Sequence, residues 1–297
     1  GIWCDWEAQG TRLSQNLLHD NQRPPFASVL KGGMMSQDIF VEVGHGPTLI
    51  DNNIMLSDAS LRFATEGVAL VHNLICGALT CVGGGTGPRY TPYHMPHRTE
   101  VMGFMTVLHG DDRFYNNIFV QKWPSDDIIT MHDSDDGFDT ENRAAGTWMF
   151  DEYPTYDEWI SQFDFSKPAD MAKLYGAHEG KLPVWIEGNA YLGGAKPSKK
   201  DVNALISAVA REDVRVELVQ KEDGYYLDTN VYELIEGFKN RMIDSDVLGK
   251  AFEPEERFEN PDGTAIRFDS DYFGTHRGVD VIPGPFASKE EAAKKLY

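Results

Sequence analysis

The sequence predicts an all-β fold: a right-handed parallel β-helix with long loops and a C-terminal extension containing short helices. Three observations carry this reading. An Asn followed by two apolar residues recurs at the entry to short strands. Two stretches near the start superimpose position for position at one offset. The extra length between copies falls into Gly-, Pro- and Asp-rich segments that read as loops.

The Asn copies are Asn16-Leu17-Leu18, Asn53-Ile54-Met55, Asn73-Leu74-Ile75 and Asn117-Ile118-Phe119, spaced by 37, 20 and 44 residues. A core of about 20 residues with variable insertions suits stacked circuits of parallel strands about 4.8 Å apart, from which loops of any length protrude. Asn at the same corner of successive circuits is expected to form a hydrogen-bonded ladder. An antiparallel β-protein with Asn-rich turns is the alternative left open by the pattern.

Aligning Asn16 on Asn53 sets Thr11 over Thr48 and Leu13 over Ile50, and the offset of 37 holds for at least 15 positions. Ile2, Cys4 and Trp6 fall over Ile39, Val41 and Val43, the alternating positions expected to point inward. Trp3, Asp5 and Glu7 fall over Phe40, Glu42 and Gly44, pointing outward. The extra length lies in Gln22 to Gln37, a long external loop with Pro24-Pro25 and Gly32-Gly33. Gly83 to Gly85 with Pro88 to Pro96 form a second loop, and the acidic stretch 125–146 a third.

Beyond about residue 150 the repeat weakens. Val184-Trp185-Ile186 with Asn189, and Tyr225 to Asn230, are candidate later circuits. Ser198 to Arg211 and Val231 to Met242 read as amphipathic helices, and Arg257 to Phe268 as a hairpin around Pro261-Asp262-Gly263. The division expected is 1–150 for the circuits carrying the active site and 151–297 for further circuits, helices and a terminal hairpin.

Composition excludes whole classes of function. With 27 Lys+Arg against 47 Asp+Glu the chain carries a net charge of -20, unsuited to phosphate backbones or anionic membrane surfaces. No apolar run reaches the roughly 18 residues that span a bilayer. Aromatics at 11% beside surplus carboxylates suit uncharged sugars. Three cysteines, Cys4, Cys76 and Cys81, make no disulfide framework and read as reduced thiols of a cytoplasmic protein. The chain opens without Met, in what reads as mid-strand, so a fragment or processed subunit is expected.

The alignment has a chemical consequence. Asp5 and Glu42 each stand 11 residues before a ladder Asn. Stacked circuits therefore put both carboxylates in one outward column on adjacent strands. That spacing approaches the ~5–5.5 Å of a retaining glycosidase, and two like charges so close favour one protonated partner beside one ionised one. Glu7, facing Gly44, is a weaker candidate. Trp3 and Phe40 lie beside the pair and suit sugar stacking. Chance coincidence on the surface of an acidic protein is the competing explanation.

Several blocks together are similar to a known family: Trp3 to Arg12 (WCDWEAQGTR), Asp38 to Pro47 (DIFVEVGHGP), Asp51-Asn52-Asn53-Ile54, Arg89 to His97 (RYTPYHMPH) and Gly110 to Phe119 (GDDRFYNNIF). The set resembles the β-helix glycoside hydrolases of family 120, retaining β-xylosidases acting on xylo-oligosaccharides. The resemblance covers most of residues 1–120 and, more loosely, Phe258 to Phe273. It implies an Asp nucleophile at Asp5 and a Glu acid/base at Glu42, with no cofactor and no metal. It also suggests a homo-oligomer, with an upstream fragment of the same protein as a further partner. Trp3, His45, Tyr93, His94 and Arg98 flank the pair or lie on the adjacent loop, and are the expected substrate contacts. The loop from Gln22 to Gln37 is longer than the family pattern, and binding residues that the family places before Asp5 fall outside this sequence.

Other constellations compete. Asp111-Asp112 is reminiscent of inverting β-helix pectin hydrolases, but Asp112 is 5 residues before Asn117, where turn or ladder capping is expected. Asp133, Asp135, Asp136 and Asp139 lack EF-hand spacing and read as a solvated loop rather than a calcium site. Cys76 and Cys81 with His72 lack a second ligand pair for zinc. There is no phosphate-cradling Gly loop and no G-x-S-x-G. A β-helix that binds glycans without cutting them remains the non-enzymatic alternative.

Overall fold

Short strands separated by tight corners dominate the computed structural model, which describes residues 1–6, 8–21, 37–83, 90–122, 129–131, 140–164, 166–167 and 181–297. The strands β1 (Ile2–Cys4), β2 (Thr11–Ser14) and β3 (Leu17–Leu18) each belong to a different sheet. The next circuit, β4 (Ile39–Glu42), β5 (Thr48–Asp51) and β6 (Ile54–Met55), visits the same sheets in the same order. So does β7 (Ala59–Ala64), β8 (Val68–Val71) and β9 (Leu74–Ile75).

A fourth circuit starts with β10 (Ala78–Gly83). It is interrupted by an antiparallel pair, β11 (Tyr90–His94) and β12 (Val101–Thr106), where the sequence suggested an irregular loop. It resumes with β13 (Asp112–Tyr115) and β14 (Ile118–Val120). Then β15 (Ile129–Met131) and β16 (Thr140–Ala144) close the first sheet, β16 antiparallel to β10 and β15 antiparallel to β16. β17 (Val184–Glu187), β18 (Ala190–Leu192) and β19 (Leu205–Ile206) extend the other two sheets in parallel. The segment Val184 to Asn189, expected as a later circuit, thus supplies a strand of the second sheet and the ladder Asn that leads into the third.

The offset of 37 holds throughout the first two circuits: Ile2 pairs with Ile39, Leu13 with Ile50 and Leu18 with Met55. The ladder also forms. Asn16, Asn53 and Asn73 each donate Nδ2–H to the Oδ1 of the next Asn at 2.9–3.0 Å, and Asn117 does so to Asn189. The same Oδ1 atoms accept the preceding Asn main-chain N–H. Every ladder Asn follows a residue in the left-handed region: Gln15, Asn52, His72, Asn116 or Gly188. One such residue turns the chain between the second and third sheets, and the Asn then satisfies main-chain groups the bend exposes.

The sheets enclose one apolar column system, with Ile39, Leu61 and Phe63 meeting Ile50, Leu70, Phe114, Met55, Ile75 and Phe119. Each such side chain contributes roughly 1.5–3 kcal/mol when removed from water. The C-terminal segment wraps the outside. Val231, Tyr232, Ile235 and Phe286 cover Ile54, Leu74 and Ile118 on the third sheet, while Ile243, Phe258 and Phe268 cover Leu49, Val71 and Tyr115 on the second.

Some local expectations are corrected here. Residues 198–211 are not a helix. Ala204 packs on the interior cluster and Leu205 on the external one, a period of two that extends the third sheet. The helix expected over 231–242 is confined to Val231–Leu234, and the chain turns at Gly237 (φ 81°). Tyr225 to Asn230 is no circuit: it lies largely in β21 (Gly224–Thr229), antiparallel to β20 (Val216–Lys221). The hairpin around Pro261 is a single antiparallel bridge, Glu259 to Ala265. Most of the loop 22–37, the acidic loop around Asp133, Asp135, Asp136 and Asp139, and Glu7 lie outside the described residues.

Candidate functional site

The pairing of β1 with β4 ends at Cys4 and Val41. Both are interior side chains, so Trp3, Phe40, Asp5 and Glu42 share the outer face of the first sheet. Asp5 and Glu42 each stand one residue beyond that last pair, on strands whose neighbours lie about 4.8 Å apart. Asp5 is exposed, whereas Glu42 is 7% exposed. The Trp3 indole N–H donates to Glu42 Oε2 at 3.1 Å, and its ring stacks on Phe40 with centroids 5.5 Å apart. Trp3 itself is 58% exposed, an open aromatic face beside the carboxylates. Phe40 is covered instead, with Trp3 on one side and the Arg62 guanidinium 4.7 Å from its ring centroid.

Each carboxylate is followed at once by a residue in the left-handed region, Trp6 (φ 26°) and Val43 (φ 40°). A β-branched residue there is an outlier, and such strain clusters where a site demands it. The bend also explains why Trp6, expected inside, is 41% exposed.

The structure places His45 differently from the sequence expectation. It is 2% exposed, with Nδ1 2.6 Å from Glu66 Oε1 and Nε2 3.1 Å from the Thr91 carbonyl. The Thr91 carbonyl can only accept, so Nε2 carries a proton, and Nδ1 shares one with the Glu66 carboxyl. Burial alone would lower its pKa, but the Glu66 charge and these bonds raise it above the ordinary value. Both ring nitrogens are thus turned to the protein rather than to a sugar hydroxyl. Tyr93 packs edge-on to the His45 ring at 5.7 Å, and burial with the Glu253 charge pushes its phenol up.

His94 is held by its main chain. Gln9 Oε1 accepts the His94 N–H at 2.8 Å, and Gln9 Nε2 donates to the His94 carbonyl at 3.0 Å and to Glu256 at 2.5 Å. Arg98 is exposed and pairs with Glu100 at 3.3 Å. A cleft of about 620 Å³ opens beside these residues, lined by Gln9, Arg12, His94, Arg98, Glu256 and Asn260. Trp3, Asp5 and Glu42 do not line it. The sequence therefore grouped residues that the fold divides: Trp3, Asp5 and Glu42 on the outer sheet face, Tyr93 and His94 on the hairpin, His45 beneath it, Arg98 in the cleft. Gln9, Glu66 and Glu256 were given no role, because their partners are distant in sequence.

Asp111 and Asp112 are 2% and 1% exposed. Asp111 pairs with Arg113 at 2.8 Å and accepts the Phe252 N–H, and burial lifts it to about 6. Asp112 caps the Val68 N–H, and burial raises it well above the carboxylate range. Asp112 thus accepts a main-chain N–H as the capping expectation has it, and both carboxylates are buried. The three cysteines are free and buried, with Cys76 and Cys81 pushed up to about 12 by burial. Among the described residues no His, Cys, Asp and Glu cluster could hold a metal ion, and no helix is long and apolar enough to cross a membrane.

No family model matches the chain, and no curated protein does. It is similar to a solved structure described as the complex of XylC with xylose, with a TM-score of 0.77 and 31% identity. The match covers 97% of this chain and 39% of that one, so the chain spans about two fifths of the length of the protein it resembles.

Proposed function

We propose that this chain carries the catalytic face of a retaining exo-glycoside hydrolase of the family 120 type, a β-xylosidase releasing xylose from xylo-oligosaccharides. Its three sheets are read as a right-handed parallel β-helix, the hand that parallel crossovers overwhelmingly adopt. The observation that carries the function is the placement of Asp5 and Glu42. They are neighbours across adjacent parallel strands, on one outer face, beside the exposed Trp3 ring. Strand spacing is compatible with the ~5–5.5 Å that lets a carboxylate attack directly, and too small for the water of an inverting enzyme. The likeness to a structure that holds xylose supports the sugar class.

In this reading the exposed Asp5 attacks the anomeric carbon and displaces the leaving oxygen, which takes a proton from Glu42. Glu42 then removes a proton from water, which attacks the glycosyl-enzyme and frees Asp5. Trp3 acts twice: its N–H fixes one oxygen of Glu42, and its face receives the apolar side of a sugar ring.

The test is turnover of aryl β-xyloside beside β-glucoside, β-galactoside and α-arabinofuranoside. Asp5→Ala is expected to lose at least about 10³-fold in kcat, with azide restoring turnover by attacking the anomeric carbon in place of Asp5, displacing the aryl group and leaving the α-xylosyl azide of inverted configuration. A variant that keeps full activity refutes the assignment. A protein that binds xylo-oligosaccharides equally well with and without Asp5, and never cleaves them, is a binder.

A further inference from the structure

We propose that β11 is a strut fastened to both carboxylate-bearing strands, and that Gln9 and His45 are positioning residues that hold Asp5 and Glu42 at their working separation. The proposal rests on the catalytic reading of that pair and assigns the geometry that maintains it.

The fastenings are arranged alike. Gln9 lies four residues after Asp5 and grips the His94 main chain on both sides, at 2.8 and 3.0 Å. His45 lies three residues after Glu42 and donates to the Thr91 carbonyl at 3.1 Å. Thr91 and His94 belong to the same strand, with Tyr93 between the two fastenings. Each fastening therefore closes a corner that opens with a left-handed residue, Trp6 after Asp5 and Val43 after Glu42. Such conformations persist only where the surroundings over-determine them. The corners are anchored further by acids from outside the hairpin. Glu256 accepts from Gln9, and Glu66 holds His45 while its Oε2 takes the Leu108 N–H at 2.7 Å, two residues past β12. Both arms of the hairpin are thereby tied to the circuits that carry the pair.

His45 is suited to this task because its rigid ring makes hydrogen bonds in two opposed directions at once, to Glu66 and to Thr91. Glu66, Glu253 and Tyr93 face it, and His109 and Asp111 lie beyond Glu66. A Gln in its place can reach one acceptor or the other. The consequence for chemistry is electrostatic. Two carboxyl groups at about 5 Å separate each other's titrations, and drawing them apart by about 1 Å narrows that gap by about 0.4 pH unit at an effective dielectric near 20.

The experiment compares wild type with Gln9→Ala, Gln9→Glu and His45→Gln in the same chain, reading kcat, KM, the pH–rate profile on aryl β-xyloside, and amide hydrogen exchange over residues 90–94. Expected are a 10- to 100-fold fall in kcat with KM changed less than about threefold, limbs of the pH profile that draw together, and faster exchange at His94. Gln9→Glu keeps the acceptor for the His94 N–H but sets a carboxylate against Glu256 and the His94 carbonyl, so its effect is expected to be at least as large as that of Gln9→Ala. Unchanged exchange in Gln9→Ala and His45→Gln overturns the strut. Faster exchange with unmoved limbs and unchanged kcat overturns the positioning role and leaves a purely structural hairpin. A wild type that turns over no glycoside overturns the catalytic reading and the positioning role with it, while exchange still decides whether the strut exists.

Discussion

Replacing Asn73 by Ala removes the middle of the ladder, and its cost can be worked out bond by bond. The side chain is fully buried, and its Oδ1 accepts both the main-chain N–H and the Nδ2–H of Asn53 at 3.0 Å. Its Nδ2 donates to the Ile50 carbonyl at 2.8 Å and to Asn117 Oδ1 at 2.9 Å. Four hydrogen bonds at about 1 kcal/mol each, with the buried Asn53 N–H left unpaired, give a loss of about 4–6 kcal/mol. That is a large share of the ~5–15 kcal/mol that holds a typical domain together. Asn16 is the first ladder Asn of the described residues; it is half-buried, and among the described residues its side chain donates to Ser14 O and Asn53 Oδ1. Asn16→Ala is expected to cost about 1–2 kcal/mol. The assay is urea unfolding followed by far-ultraviolet circular dichroism, with stability compared at matched slope. A difference under about 1 kcal/mol between the two variants would refute the view that the ladder acts through satisfied buried groups.

Other outcomes follow from the same geometry. Asp112→Asn keeps an acceptor for the Val68 N–H, so kcat on aryl β-xyloside is expected within about twofold of wild type; a loss beyond about 10³-fold would restore the inverting alternative. Trp3→Phe keeps the ring over Phe40 but removes the N–H that favours the ionised Glu42 carboxylate. Activity is expected to fall roughly tenfold and the alkaline limb of the pH–rate profile to move up, and a limb that moves down would contradict the assignment. Asp201 is lifted to about 6, chiefly by burial, although Tyr191 and Asn189 hydrogen bonds pull it down. The folded protein therefore holds a proton there that the unfolded chain releases near pH 3.9, so this group's contribution to stability declines as pH rises from about 4 to 6. Asp201→Asn is expected to match wild type near pH 4 and to exceed it by on the order of 2 kcal/mol at pH 7, checked by denaturant titrations across that range.

The repeat, the offset of 37 and the outward column of Asp5 and Glu42 were legible in the sequence because they depend on local rules. Side chains alternate with a period of two, and stacked circuits place equal positions over one another. Those rules reach from residue 2 to residue 55 without any tertiary information, and Asn189 shows them working again far along the chain. They fail where a contact decides. Residues 198–211 carry helix-like spacing, yet Ala204 and Leu205 find apolar surface on opposite sides and the segment extends a sheet. His45 stands beside the pair in sequence, but Glu66 and Thr91, 21 and 46 residues away, draw its ring beneath the hairpin. Asp111 and Asp112 have the residue types of a catalytic pair, and only the fold shows that they are buried, Asp111 against Arg113 and the Phe252 N–H and Asp112 on the Val68 N–H. Gln9 had no legible role, since both groups it joins, His94 and Glu256, lie 85 and 247 residues distant. Periodicity sets which face a side chain takes within its own strand, while the identity of what meets that face depends on loops closed over tens to hundreds of residues, and only the folded chain decides that.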